Sequence, residues 1–245
     1  MNPPAIRLRD LTIFRRGHAV VDRLTGAFSQ ARLSAVVGPN GAGKSSLMDA
    51  VCGELGEVQG TIERPARRHI AYLPQVLHVE RDFPISVIDL VAMGLWNSIG
   101  SFGGLDRTQR EVVFNAIAGV GLAGAGQRLI GELSTGQLKR ALFARVMVQD
   151  APLILLDEPF SGVDARTTAD LCALLRHWTR QGRAVIAVLH EIDLVRTHFD
   201  DALLLARQPV AWGPAREALG EQNLHRAREL AESWDVAPAL QRTVA

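Results

Sequence analysis

Apolar positions along the chain follow three periods, and each predicts a different element. Residues 6–28 alternate loosely between apolar and polar, the two-residue period of strands with one wet face, and the alternation breaks near Gly17. This predicts short antiparallel strands joined by a turn. Residues 33–37, with Ser34 the one polar position, and 153–156, 184–189 and 202–205 are apolar runs, as strands covered on both faces are. Residues 70–73 read as a further short strand. Helical periods fall at 45–51, from Ser134 to about 149, and at 165–180. Strands alternating with helices predict a parallel α/β sheet.

The stretch from about 76 to 133 has another character. Residues 83–104 are apolar, rich in glycine and dotted with aromatics. Asp106 with Gln109 three residues on carries the pattern of a capped helix start. Val112, Val113, Ala116, Ile117 and Val120 then keep one helical face apolar. This predicts a mostly helical insertion. Residues 214–245 read as a short helical tail, too polar and too brief for another domain, so 1–245 reads as one domain.

Composition narrows the function classes. The 245 residues are 47% hydrophobic and 22% charged, the balance of an ordinary globular protein. Basic and acidic residues stand at 27 against 26, which excludes a strongly basic nucleic-acid binder. Two cysteines, Cys52 and Cys172, make no disulfide framework and fit small core positions in a reducing compartment. The first ten residues hold no apolar signal segment. The longest uncharged runs, 90–105 and 112–127, fall short of the roughly 20 apolar residues that span a bilayer. The seven histidines are scattered without metal-ligand spacing. Arg64, Arg67, Arg68 and His69 read as a solvated face. Lysine occurs only twice, at Lys44 and Lys139, so a lysine inside a glycine-rich loop stands out.

That loop is Gly38-Pro39-Asn40-Gly41-Ala42-Gly43-Lys44-Ser45, a full G-x-x-x-x-G-K-[ST] match between a buried strand and a helix. Glycines let successive N–H groups converge on phosphate oxygens, and the helix start turns its positive end to the anion. Asn40, Gly41, Gly43, Lys44, Ser45 and Ser46 are the candidate nucleotide contacts. Lys44 is placed to reach the β- and γ-phosphates and Ser45 to ligate Mg2+. Asp157 and Glu158 close the strand 153–156, where P-loop nucleoside triphosphatases place a second magnesium contact and where the following Glu could polarise the attacking water. No N-K-x-D guanine motif occurs.

Ser134-Thr135-Gly136-Gln137 is by itself a capping box. The order carries more. The phosphate loop, Gln75, Leu133-Ser134-Thr135-Gly136-Gln137, Asp157-Glu158-Pro159, Ser161-Gly162-Val163-Asp164 and His190 follow one another at plausible spacings. The series resembles the ATP-binding cassette (ABC) ATPases over nearly the whole chain. The fold it implies is α/β: a P-loop NTPase core with a mixed, mainly parallel sheet, an N-terminal antiparallel β-subdomain and an inserted α-helical subdomain. It implies ATP and Mg2+ as cofactors, a homodimer with ATP sandwiched between subunits, and no nucleic-acid partner. Gln75 resembles the glutamine that touches magnesium or the attacking water. Ser134, Gly136 and Gln137 resemble the signature motif that binds ATP held by the other subunit. Asp157 resembles the magnesium ligand, Glu158 the catalytic base, Asp164 the aspartate at the dimer interface and His190 the histidine on the γ-phosphate.

Two positions depart from the family pattern. Thr135 stands where glycine is usual. The aromatic expected against adenine is Phe14 or, one residue on, Arg15, since both offer a flat face. One cassette without a coiled coil resembles a transporter motor, peripheral on the cytoplasmic face of the inner membrane beneath a membrane permease. Leu77, Phe83, Leu90, Met93 and Trp96 are apolar candidates for the permease groove or for the insertion's own core. Leu73-Pro74-Gln75, Asp82-Phe83-Pro84-Ile85-Ser86-Val87, Met93-Gly94 and Ala211-Trp212-Gly213-Pro214 are similar to the bacterial zinc, manganese and iron uptake ATPases. In such systems an extracytoplasmic solute-binding protein and the permease select the substrate. An importer of iron-siderophores or haem, and a soluble regulatory cassette, are the alternatives.

Overall fold

Two strands, β1 (Pro4–Arg15) and β2 (His18–Ser29), pair antiparallel with Arg15 opposite His18. The turn residues Arg16 and Gly17 both have positive φ, 52° and 77°, the geometry that matches strand twist in a two-residue hairpin. The computed structural model describes residues 4–55, 57–75, 83–99 and 104–241. β3 (Leu33–Val37) leads through the phosphate loop into α1 (Lys44–Cys52). β4 (Val58–Glu63) pairs with the free edge of β1 and completes a three-stranded antiparallel sheet, β2-β1-β4. β4 was not predicted, because only Val58 and Ile62 mark its inner face.

The second sheet has the order β5-β6-β7-β3-β8-β9. Its strands are β5 (Ile70–Leu73), β6 (Leu153–Asp157), β7 (Ala184–Val188), β8 (Asp201–Ala206) and β9 (Gln208–Pro214). Ladders among β5, β6, β7, β3 and β8 are parallel, and β9 returns antiparallel on β8. β9 was also unpredicted; it is a half-buried edge and lacks the unbroken apolar run of the inner strands. The inner runs are continuous because each face meets a different core. Leu153 and Leu155 point to the core shared with β1, β2 and α1. Ile154 and Leu156 point to the core shared with the helices beyond the sheet. Fully burying one such leucine contributes roughly 1.5–3 kcal/mol.

Helices α2 (Val87–Ala92), α3 (Trp96–Ile99) and α4 (Arg107–Gly119) make up a helical part of the chain between β5 and α5 (Thr135–Val148). α6 (Ala165–Arg180) follows. α7 (Ile192–His198), α8 (Ala215–Ala218) and α9 (Glu221–Gln241) complete the described helices. Asp106 and Gln109 form the expected reciprocal capping box at 2.7 and 2.9 Å. Leu90 is core, whereas Phe83 and Trp96 are exposed, and Leu77 lies outside the described residues. Arg67 ties back to the Ile70 carbonyl and to Glu54. Cys52 and Cys172 are buried free thiols. Among the described residues no helix is long and apolar enough to cross a membrane.

Candidate functional site

Every parallel strand of the larger sheet ends on the same side, and the phosphate loop opens there after Val37. Open parallel sheets bind ligands at these carboxyl ends. Gly38 is needed because a Cβ there would lie 1.9 Å from the Leu205 carbonyl oxygen. Gly43 has φ 93° and caps α1, and a Cβ there would meet the Val20 carbonyl at 2.4 Å. The loop is thus pressed between β8 and β2, and no side chain fits at either contact.

Lys44 is 6% exposed, and its Nζ donates to the carbonyls of Gly38 and Pro39, both at 2.9 Å. Burial pulls its pKa below the usual lysine range, while Glu158 and Asp157 pull the other way. Asp157 is 2% exposed, and its Oδ1 has no hydrogen-bond partner among the described residues. Burial pushes this carboxyl up, opposed by a side-chain hydrogen bond with Ser45. An orphaned buried carboxylate oxygen beside a serine hydroxyl is a donor set that suits a hard divalent cation.

Glu158 adopts a left-handed φ of 48°, a conformation that costs a non-glycine residue on the order of 1–3 kcal/mol. Its Oε1 lies 2.8 Å from His190 Nε2, which brings the ends of β6 and β7 together. An open cleft of about 420 Å³ is lined by Asn40, Gly41, Gly43, Lys44, Ser45, Ser46, Gln75, Glu158 and His190. Nine of the predicted positions therefore meet in one cleft, with Asp157 behind them at Ser45.

The other predicted positions do not line this cleft. Ser134 and Gln137 satisfy each other: Ser134 Oγ accepts from the Gln137 N–H at 3.2 Å, and Gln137 Oε1 accepts from the Ser134 N–H at 3.1 Å. Asp164 caps α6 by accepting from the Thr167 N–H and hydroxyl, each at 2.9 Å, which holds its carboxyl below the usual range. A Cβ on Gly136 would lie 3.6 Å from the Thr167 hydroxyl, so the starts of α5 and α6 are neighbours. Thr135 turns its methyl toward Gly162, in van der Waals range of any Cβ placed there. Ser134, Thr135 and Asp164 are exposed, so the N–H groups at the start of α5 face outward.

Phe14 is half-buried, with its N–H on the Glu57 carbonyl at 3.0 Å. The Arg15 guanidinium is bound to the Asp49 carboxylate on α1 and lies 3.4 Å from Ser46 Oγ. Asp49 also accepts from the Tyr72 hydroxyl at 3.0 Å, and burial beside it pushes that phenol up. The sequence reading did not contain this trio. It also missed Lys139, whose Nζ sits 3.5 Å from the Glu158 carbonyl and whose pKa burial lowers. The rarity of lysine was the one signal available for it. Among the described residues no cluster of three or more His, Cys, Asp or Glu side chains is arranged to hold a metal ion.

The sequence profile of the ABC transporter family matches residues 21–161. The manganese transport system ATP-binding protein MntB of Listeria monocytogenes is 34% identical, over 91% of this chain and 95% of that protein. The zinc transport system ATP-binding protein TroB of Treponema pallidum is 37% identical, over 91% of this chain and 86% of that protein. Among solved structures, an inward-facing ABC transporter described as metal-chelate type superposes with a TM-score of 0.82 at 28% identity, covering 90% of this chain and 87% of that one. The ADP conformation of an ATP-binding cassette superposes at 0.81 over 92% of this chain and 98% of that one; at 19% identity it speaks for the fold alone.

Proposed function

The chain belongs to the ABC transporter family, and we propose that it drives an importer of divalent metal ions, manganese, zinc or iron. Its family makes it a nucleotide-binding ATPase subunit. The observation that carries the chemistry is the single cleft joining the phosphate loop to Glu158 and His190. The metal assignment draws on the manganese and zinc transport systems to which the similar proteins belong.

Each residue's part follows from its position. The loop N–H groups and the start of α1 take the phosphates. Lys44 exchanges the Gly38 and Pro39 carbonyls for phosphate oxygens, a gain for a desolvated ammonium. Mg2+ fits Ser45 and the orphaned Asp157 oxygen, with Gln75 at the cleft wall, and when bound it neutralises charge on the β- and γ-phosphates. Glu158 takes the proton of the attacking water, and His190 holds the Glu158 carboxylate and faces the γ-phosphate. With Arg15 held on Asp49, Phe14 is the flat group left for adenine.

The outward start of α5 supplies the other half of the site. Ser134, Gly136 and Gln137 of a second copy close over the γ-phosphate, with Asp164 beside them. ATP then lies sandwiched in a homodimer. Phe83, Trp96, Val112, Phe114 and Leu129 are large, apolar and exposed, and all five lie between residues 83 and 129. That concentration supports docking of a membrane permease on the helical part, with the chain peripheral at the cytoplasmic face. An extracytoplasmic solute-binding protein delivers the ion to the permease.

The test is total cellular zinc, manganese and iron in a strain lacking the gene, under metal starvation. Loss of one metal, restored by the wild type and not by Glu158→Gln, is the expected result. Unchanged metals would overturn the metal assignment. The inward-facing structure of metal-chelate type favours a second reading, uptake of an iron chelate such as a siderophore or haem. In that case uptake of the labelled chelate falls while free-ion uptake is normal.

A further inference from the structure

Between β8 and β9 stands one residue, Arg207, with a left-handed φ of 58°. Glycine is the residue that takes this conformation without steric cost. An arginine persists there because its surroundings hold it. The first set of contacts is main chain. The Arg207 N–H donates to the Ala42 carbonyl at 3.2 Å, and the Arg207 carbonyl accepts from the Asp22 N–H at 2.7 Å. Ala42 is fully buried inside the phosphate loop. The turn therefore braces the loop from behind, next to the contact of Gly38 with Leu205.

The second set is the side chain. The guanidinium lies 4.3 Å from the ring centre of Trp234, well inside cation–π range. Arg207 Nε is buried and has no hydrogen-bond partner among the described residues. The ring face is thus the contact that compensates the buried guanidinium edge. Trp234 belongs to α9, where Leu224, Ala227 and Leu230 pack on the core. A continuous path runs from α9 through ring, guanidinium and turn peptide to the Ala42 carbonyl.

We propose that Arg207 is a positioning residue for the phosphate loop, and that α9 sets the loop's affinity for nucleotide through Trp234. The inference rests on the nucleotide reading of the cleft. Arg207 reaches no phosphate; it acts through the Ala42 carbonyl, which shares its peptide with the Gly43 N–H and stands one peptide before the Lys44 N–H. When Trp234 leaves, a strained turn loses the side-chain contact that helps hold it, and the loop's rear support slackens. A partner that engages α9 would thereby weaken nucleotide binding without touching the cleft.

Calorimetric titration of the full chain with ATP tests this. Trp234→Leu and Arg207→Ala should each raise Kd about threefold to tenfold, the range a partly desolvated cation–π contact supports. Their kcat at saturating ATP should stay at the wild-type value. Trp234→Phe and Arg207→Lys, which keep a ring and a cation, should bind within about twofold of wild type. The double variant Arg207→Ala with Trp234→Leu should bind no more weakly than either single one. A purely structural contact would lower the melting temperature and leave Kd alone, which would overturn the proposal. Additive losses in the double variant would overturn the coupling through Trp234. Should Arg207→Ala fail to fold, Trp234→Leu decides. Lys44→Ala separates the two readings. If it loses ATP while both single variants bind as wild type, only this inference falls. If Lys44→Ala binds normally, the nucleotide reading falls first.

Discussion

The phosphate cleft and the start of α5 both present main-chain N–H groups to a place where an anion fits, yet they are built in opposite ways. In the cleft, Lys44 is 6% and Asp157 2% exposed, and both are held away from their usual titration range by burial. At α5, Ser134 and the neighbouring Asp164 are exposed and already satisfied by local caps. The cleft holds buried charged groups before any ligand arrives, so a phosphate or a cation offers them partners. The helix start is relaxed and makes no demand on its own chain. A charge in the first region and a volume in the second are therefore the sensitive quantities.

The largest effect is expected at Glu158. Replacing it by Gln should lower kcat by about 10²–10⁴ while ATP binding persists, because general-base removal leaves positioning intact. A wild-type rate of phosphate release would mean Glu158 is not the base. The next pair tests the contrast itself. Lys44→Ala should weaken ATP binding by about tenfold to a hundredfold, the worth of a desolvated charge-assisted hydrogen bond. Gly136→Asp should leave monomer binding within about twofold, because the position does not line the cleft, and should abolish turnover. If Gly136→Asp weakens monomer binding as much as Lys44→Ala, the two regions are not separate.

A smaller effect sharpens the electrostatic side. The folded pKa of Asp157 is raised, so its ionisation opposes folding once the pH exceeds the unfolded value near 3.8, increasingly up to the folded pKa. Asp157→Asn should therefore stabilise the nucleotide-free chain by about 1 kcal/mol at pH 7, read as a rise of about 2–4 °C in Tm. The gain should vanish below about pH 3.8. A loss of stability at pH 7 would show that the carboxylate is favoured where it stands. The smallest effect belongs to Thr135. Its methyl rests near Gly162 without crowding it, so Thr135→Gly should change turnover by less than about threefold.

The inner strands of the larger sheet were legible because burial on both faces leaves a nearly uninterrupted apolar run, as in Leu153-Ile154-Leu155-Leu156. β4 and β9 escaped because each is an edge with water on one side and few apolar positions to mark it. In the site, the loop from Gly38 to Ser45 was legible because its chemistry is local in sequence. Glu158 and His190, 32 residues apart in sequence and in contact at 2.8 Å, were placed together only by family resemblance. The links of Arg15 and Tyr72 to Asp49, and of Lys139 to Glu158, have no spacing that encodes them. They exist because elements distant in sequence are packed side by side around the cleft.

Placing Ser134 and Gly136 away from the cleft of their own chain has a consequence for dilution. If each turnover needs two copies, the rate from free subunits scales with the square of their concentration. Halving a dilute sample then quarters its phosphate output, and surplus subunits adrift from a permease stay nearly idle. A permease that holds two copies replaces that bulk concentration by a local one, in the millimolar range for short connections. On the proposed dimeric reading, geometry alone would confine hydrolysis to assembled machines, with no inhibitor required.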